Sequence, residues 1–270
     1  MAGAPYRSYA AIGDSLSEGL GDFTFHQQRE HNGWTDRLAG LLSLEVPGFH
    51  YANLALRGSK MRTIMTTQVE SALRLQPDLV TVMAGSNDFS TSDLAGLETI
   101  FRDGLKLLQA AGCDVIVANT IRPAHLKFFR KVLPRAQRMS QMINRVAEEL
   151  KIPVIDVYGI QDFNQLEFWA EDMVHFSGHG HTRVANQAAA ILGLNYRIPE
   201  APRHAMQAPP RDLMATLRWY KDYVLPFIER RLKGTSSGDG MTSKHLTLAP
   251  YSNHQLATVP VARRDYAQAA

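Results

Sequence analysis

Cysteine is almost missing from this 270-residue chain: Cys113 is its single example, which rules out an internal disulfide and fits a reducing compartment. Long apolar runs are missing too. No stretch approaches the ~18 consecutive apolar residues that a membrane-spanning helix needs, and Met1 to Arg7 lacks the basic segment and apolar run of a secretory signal. A cytoplasmic protein without stable membrane insertion is the expectation. The first 200 residues also lack a basic nucleic-acid footprint, since 19 Lys and Arg there face 21 Asp and Glu. The net charge of +3 comes from residues 201–270, with 10 basic against 5 acidic side chains. What is present is ordinary globular composition, 45% apolar and 20% charged, in a length that buries a sizeable core.

Strand and helix signals alternate along the first 200 residues. Apolar runs at Tyr9–Ile12, Phe49–Leu54, Leu79–Met83, Val115–Asn119 and Val154–Val157 predict five strands. Between them, helical spacing predicts helices over Gly33–Leu44, Ile64–Leu75, Leu94–Leu108 (Ser92 as N-cap, Gly112 as stop), Arg135–Leu150 and His181–Leu194. Continuous apolar strands separated by helices predict an α/β fold, a parallel sheet covered on both faces in three layers. Residues 1–200 are expected to form this domain. Residues 201–234 read as a Pro-rich connector and an amphipathic helix marked by Leu213, Leu217, Tyr220, Val224, Phe227 and Ile228, expected to dock on its own domain. Residues 235–270 are expected to be a flexible basic tail. The 15-residue Gly19–Gly33 connection is long enough to be read as a pocket rim; its His26 and His31 lack partners at metal-site spacing.

The chemistry starts at Ser15, on the turn after the first strand, where open α/β sheets place their ligand crevice. A serine hydroxyl needs a base, and His175 is the candidate, with Asp172 three residues earlier able to fold back onto Nδ1 and leave Nε2 free. Taken alone, the pair reads equally well as a solvated loop. Acyl transfer also needs donors for the developing oxyanion, each worth roughly 3 kcal/mol. The Ser15 N–H, the Gly58 N–H and the Asn87 side-chain amide are the candidates, although glycine and asparagine suit turns in any case.

Taken in order, these blocks resemble the GDSL, or SGNH, hydrolases. Gly13-Asp14-Ser15-Leu16-Ser17 matches the nucleophile block, and Asn53 to Gly58 looks like the block carrying the family's glycine. Gly85-Ser86-Asn87-Asp88 matches the Gly-x-Asn-Asp block, and Asp172-x-x-His175 with Gly180-His181 resembles the terminal one. The resemblance covers about residues 7–195 and implies a flavodoxin-like, five-stranded parallel sheet. It implies serine-dependent hydrolysis of a small acyl ester, or acyl transfer to a sugar or other small hydroxyl acceptor, without metal or organic cofactor. Ser15 would be nucleophile, His175 base then acid and Asp172 its orienter, with Ser15, Gly58 and Asn87 forming the oxyanion hole and Asp88 holding a loop. A non-catalytic ligand-binding scaffold is the competing class. For the substrate pocket, Arg122 and His125 are candidates for a polar or anionic head group, with solvated-loop roles as the alternative, and Phe128, Phe129 and Trp169 for an acyl chain, although aromatic residues are equally often core.

Overall fold

Five parallel strands, each ending near one rim of a single sheet, position everything described below. The structure is a computed structural model and describes residues 6–22, 32–125, 131–202, 212–225, 229, 235–252 and 256–261. In chain order the elements are β1 (Ser8–Gly13), α1 (Ser15–Glu18), α2 (Trp34–Glu45) and β2 (His50–Asn53). A continuous helical stretch follows as α3 (Met61–Thr63), a π-helical turn (Ile64–Gln68) and α4 (Val69–Leu75). Next come β3 (Leu79–Met83), α5 (Leu94–Ala110), β4 (Asp114–Ala118), α6 (Leu133–Glu149), β5 (Val154–Ile155) and α7 (Gly178–Leu192). Beyond these lie β6 (Tyr196–Arg197), α8 (Leu213–Trp219) with a further π turn (Tyr220–Val224), β7 (His245–Pro250) and β8 (Val259–Pro260).

The sheet order is β5-β4-β3-β1-β2-β7. Strands β1 to β5 pair in parallel, with Ala11 opposite Asn53 on one side and Gly13 opposite Met83 on the other. The order turns back at β1, so the crevice of this open sheet falls at the carboxyl end of β1. Alternate side chains of each strand enter different cores. Leu79 and Met83 join Leu38, Leu41, Val184 and Ala188 beneath α2 and α7. Val80 and Val82 join Ile64, Val69, Phe101, Leu105, Ile143 and Val146 on the opposite face. Burial on both faces is why the strands read as unbroken apolar runs.

Four expectations are corrected. The sheet has six strands, not five, because β7 pairs antiparallel with β2, placing His50 opposite Pro250 and Asn53 opposite His245. Those residues fall in the stretch expected to be a flexible tail. The last core helix begins at Gly178 rather than His181, since the Ser177 hydroxyl accepts from Gly180 N–H and caps it. Helix α5 is capped by Asp93, whose carboxylate accepts from Gly96 N–H at 2.8 Å, and not by Ser92. On the stripe expected over α8 and its π turn, Leu217 and Tyr220 are exposed; the helix meets its own domain through Trp219, which is not one of the stripe residues. Phe227, Ile228 and the basic end of that predicted helix lie outside the described residues, as do His26 and His31.

Candidate active site

The strand order places three loops side by side. Ser15 follows β1, Gly58 follows β2 and Asn87 follows β3, and β1 lies between the other two. All three residues are half-buried. At the end of β1, Gln68 reaches Gly13 with both ends of its amide: Oε1 accepts from the N–H at 2.7 Å and Nε2 donates to the carbonyl at 3.0 Å. Gln68 closes the π-helical turn, an irregularity of the kind found at functional sites. Asp14 then caps α1 by accepting from Leu16 N–H at 3.0 Å, leaving Ser15 as the first helical residue. Burial pushes the fully enclosed Asp14 carboxyl up to about 7, although the Leu16 N–H and the charge of His175 pull the other way.

The glycine turn is held from the nucleophile side. Asn53 accepts from Ala55 N–H at 3.1 Å and donates to the Ser17 carbonyl at 3.0 Å. Glu18, one helical turn past Ser15, accepts from the backbone N–H of Arg57 at 2.7 Å and from its guanidinium. Gly58 itself has φ +75°, a conformation that glycine adopts at little cost. The Asn87 amide donates to the Ser59 carbonyl at 3.0 Å and stands 3.4 Å from Asp14 Oδ2, which sets it between the two other loops. Asp88 accepts from Met61 N–H at 2.8 Å, in keeping with a loop-holding residue.

Asp172 and His175 occupy a tight loop between β5 and α7. The Ala170 N–H donates to the His175 carbonyl and the Met173 N–H to the Ala170 carbonyl, both at 2.9 Å. Inside this turn Asp172 Oδ1 accepts from the N–H groups of Val174 and His175, while Oδ2 lies 2.5 Å from His175 Nδ1. Burial opposes the Asp172 charge, but the charge and hydrogen bonds of His175 with the two N–H groups outweigh it and hold the carboxyl at about 2. A carboxylate there accepts, so Nδ1 carries a proton, and in the neutral ring the lone pair is on Nε2. The loop lies against the chain leaving α1: a Cβ on Gly21 would collide with the Phe176 carbonyl and stand 3.0 Å from His175 Cβ. His181 is differently placed. Its Nδ1 accepts from Trp34 N–H at 3.1 Å and its Nε2 donates to the Leu20 carbonyl at 3.0 Å, while burial pushes its pKa down to about 3. Both of its ring nitrogens are thus committed to backbone groups.

The expected pocket residues are distributed otherwise. Trp169 is 1% exposed, donates its indole N–H to the Phe163 carbonyl at 2.9 Å and packs among Phe163 and Phe176, so it is core. His125 stacks on Trp169 with centroids 3.9 Å apart, and its Nε2 meets the Met173 carbonyl at 2.9 Å; it backs the Asp172 loop. Arg122 is half-buried on the loop after β4. Phe128 and Phe129 lie outside the described residues, as do positions 23–31 of the expected rim. The base of that rim is described: Gly19 backs onto Gly33, and Arg37 pairs with Asp22 at 2.5 Å while donating to the Asn32 carbonyl. Gln68, Glu18 and Arg57 were missed from sequence. Among the described residues, no cluster of three or more His, Cys, Asp or Glu is placed to hold a metal, and no helix is long and apolar enough to cross a membrane.

The model of the GDSL-like lipase/acylhydrolase family matches residues 11–183. The chain belongs to that family. It is an ester hydrolase of the GDSL type, and the blocks around Ser15, Gly58, Asn87 and His175 all fall inside the match. No curated protein matches the chain. Among solved structures it is similar to an acetylxylan esterase from Geobacillus stearothermophilus, at 18% identity and TM-score 0.59 over 70% of this chain and 94% of that one. It is also similar to an α/β hydrolase from the metagenome of Lake Arreo, Spain (20%, 0.56, 69% and 94%). A third is a psychrotrophic esterase from Pseudoalteromonas sp., solved with monoethylphosphonate as inhibitor (13%, 0.55, 69% and 97%). These likenesses extend the GDSL assignment to the fold. Catalytic mutants of the Geobacillus enzyme carry changes at one serine, one aspartate and one histidine.

Proposed function

We propose that the protein hydrolyses small acyl esters through an acyl-serine intermediate, with residues 1–200 as the catalytic unit and the cytoplasm as its compartment. The observation that carries this reading is the Asp172–His175 pair at 2.5 Å, which leaves a single ring nitrogen to accept a proton. Ser15 Oγ attacks the ester carbonyl carbon while His175 Nε2 takes the hydroxyl proton. Charge on the carbonyl oxygen is met by the N–H groups of Ser15 and Gly58 and by the Asn87 amide. The C–O bond to the alcohol then breaks, and His175 returns the proton to that leaving oxygen. Water enters next, gives its proton to His175 and attacks the acyl carbon, releasing the acid and restoring the Ser15 hydroxyl. Asp172 keeps its charge throughout, opposite the imidazolium. The serine, aspartate and histidine changed in the Geobacillus esterase mutants are the same three residue types.

A fluorophosphonate probe tests this directly. The wild-type chain should form a covalent adduct at neutral pH and Ser15→Ala should not. An adduct that survives Ser15→Ala, or none on the wild type, overturns the reading. Incubation with a short acyl ester, with and without a sugar or other small alcohol, then measures free acid against transferred product; hydrolysis predicts acid in both.

A further inference from the structure

The chain beyond residue 202 falls outside the 11–183 family match, yet it touches the site at two separate points. The first is the loop of the base. Trp219, at the end of α8, donates its indole N–H to the Asp172 carbonyl at 2.9 Å. Among the described side chains of α8, Trp219 alone is not exposed, so this contact is where the helix docks. One turn further on, partial desolvation and the charges of Glu171 and Asp172 raise the pKa of the Tyr223 phenol.

The second point is the glycine turn. Any Cβ on Gly58 would collide with Ser236 Oγ and stand 3.0 Å from Ser237 Oγ. Any Cβ on Gly238 would collide with the Arg57 carbonyl and stand 3.1 Å from Leu56. Residues 236–239 are knit into a turn by Ser236 N–H on Asp239 at 2.8 Å. Ser243 Oγ donates to the Leu54 carbonyl at 2.8 Å, Lys244 pairs with Asp36 at 2.6 Å, and β7 then runs along β2. Strand pairing therefore anchors this arm immediately beyond the place where it lies on the turn.

We propose that the carboxyl-terminal extension is a two-point brace, in which Trp219 positions the Asp172–His175 loop and the 236–238 turn positions the Gly58 turn. The inference rests on the acyl-serine reading for its effect on rate, not for the contacts themselves. Both braced loops carry groups whose placement against Ser15 decides the rate, and a displacement of about 1 Å at such a site can cost ~10²-fold. Trp219 and Gly238 are positioning residues, each acting through the loop that it contacts.

Two full-length variants test the brace. Trp219→Phe keeps an aromatic side chain, smaller than indole, and removes the N–H; Gly238→Val forces the turn off the Arg57 carbonyl. Amide exchange should quicken over residues 170–175 in the first and over 54–58 in the second, with the rest of the sheet unchanged. On a short acyl ester each should lower kcat by about tenfold while KM stays within about twofold, because acyl-site geometry is disturbed and ground-state binding is not. Unchanged exchange at the contacted loop in both variants overturns the contacts. Quickened exchange with kcat within twofold of wild type overturns the positioning role. A wild type that neither hydrolyses nor labels sinks the hydrolase reading instead, and the exchange patterns still judge the contacts.

Discussion

Glu18 and Arg57 join the helical turn that starts at Ser15 to the residue preceding Gly58. The carboxylate accepts from the Arg57 backbone N–H at 2.7 Å and from Nε at 2.9 Å, and it also meets the terminal guanidinium nitrogen. The glutamate side chain is 7% exposed and the arginine 20%, so water competes little for the pair. Fork geometry of this kind adds direction to charge. The candidate nucleophile and the candidate oxyanion donor are thus fixed to each other by one side-chain pair.

Glu18→Gln replaces one accepting oxygen with a donor that faces Arg57. The expected result is a fall in kcat/KM of about ten- to a hundredfold, from displacement of the Gly58 turn. Arg57→Lys keeps the charge and the backbone N–H but loses the fork, so its loss should be smaller. Steady-state kinetics on one short ester ranks the two variants; the reverse order would count against the geometry.

Asp172→Asn preserves shape and removes the acceptor that orients His175. A loss in kcat of about 10³–10⁴-fold is expected, as the imidazole loses its tautomer and its stabilising charge. Because the folded carboxyl sits at about 2, below its ordinary value, its charge contributes stability that is complete above pH ~4 and lost as pH falls through 2. Denaturant melts of the two proteins should therefore converge in strong acid.

Asp14 has the opposite sign. Its folded pKa is raised to about 7, so the folded state holds a proton that the unfolded chain releases near pH 4. Wild-type stability from this group is complete below pH ~4 and declines as pH rises towards 7. Asp14→Asn has no such proton, so melts at pH 4 and pH 8 should show the variant gaining on wild type as the pH rises. Parallel curves would place the Asp14 proton elsewhere.

Gln68→Leu leaves the buried Gly13 N–H without a partner, whereas the Gly13 carbonyl still accepts from Leu56 N–H at 3.2 Å. One stranded donor costs about 1–3 kcal/mol. Chemical denaturation should show a lower midpoint with unchanged slope.

Sequence disclosed what short range and repetition determine. Leu79–Met83 is a strand in both readings, since a β-branched run buried on two faces has no other comfortable home. Asp172 and His175 were legible because three residues of separation suffice for the contact. Glu18 and Arg57 lie 39 positions apart, and Trp219 lies 47 from Asp172; no local pattern advertises either pair. β7 was hidden for a similar reason, being a half-exposed segment whose partner strand precedes it by nearly 200 residues. Trp169 looks the same in sequence whether it faces ligand or core; in the structure it is buried and its indole N–H donates to the Phe163 carbonyl.

The outermost strands bear on how copies of this protein can meet. At one margin β5 is only two residues long; at the other, β7 carries a register shift opposite Tyr51 and Asn53 and stops at Pro250. Neither rim offers a long, regular row of free backbone groups onto which a second chain could zip. Among the described residues, lateral growth of the six-stranded sheet on that side would first require β7 to peel away and bare the border of β2.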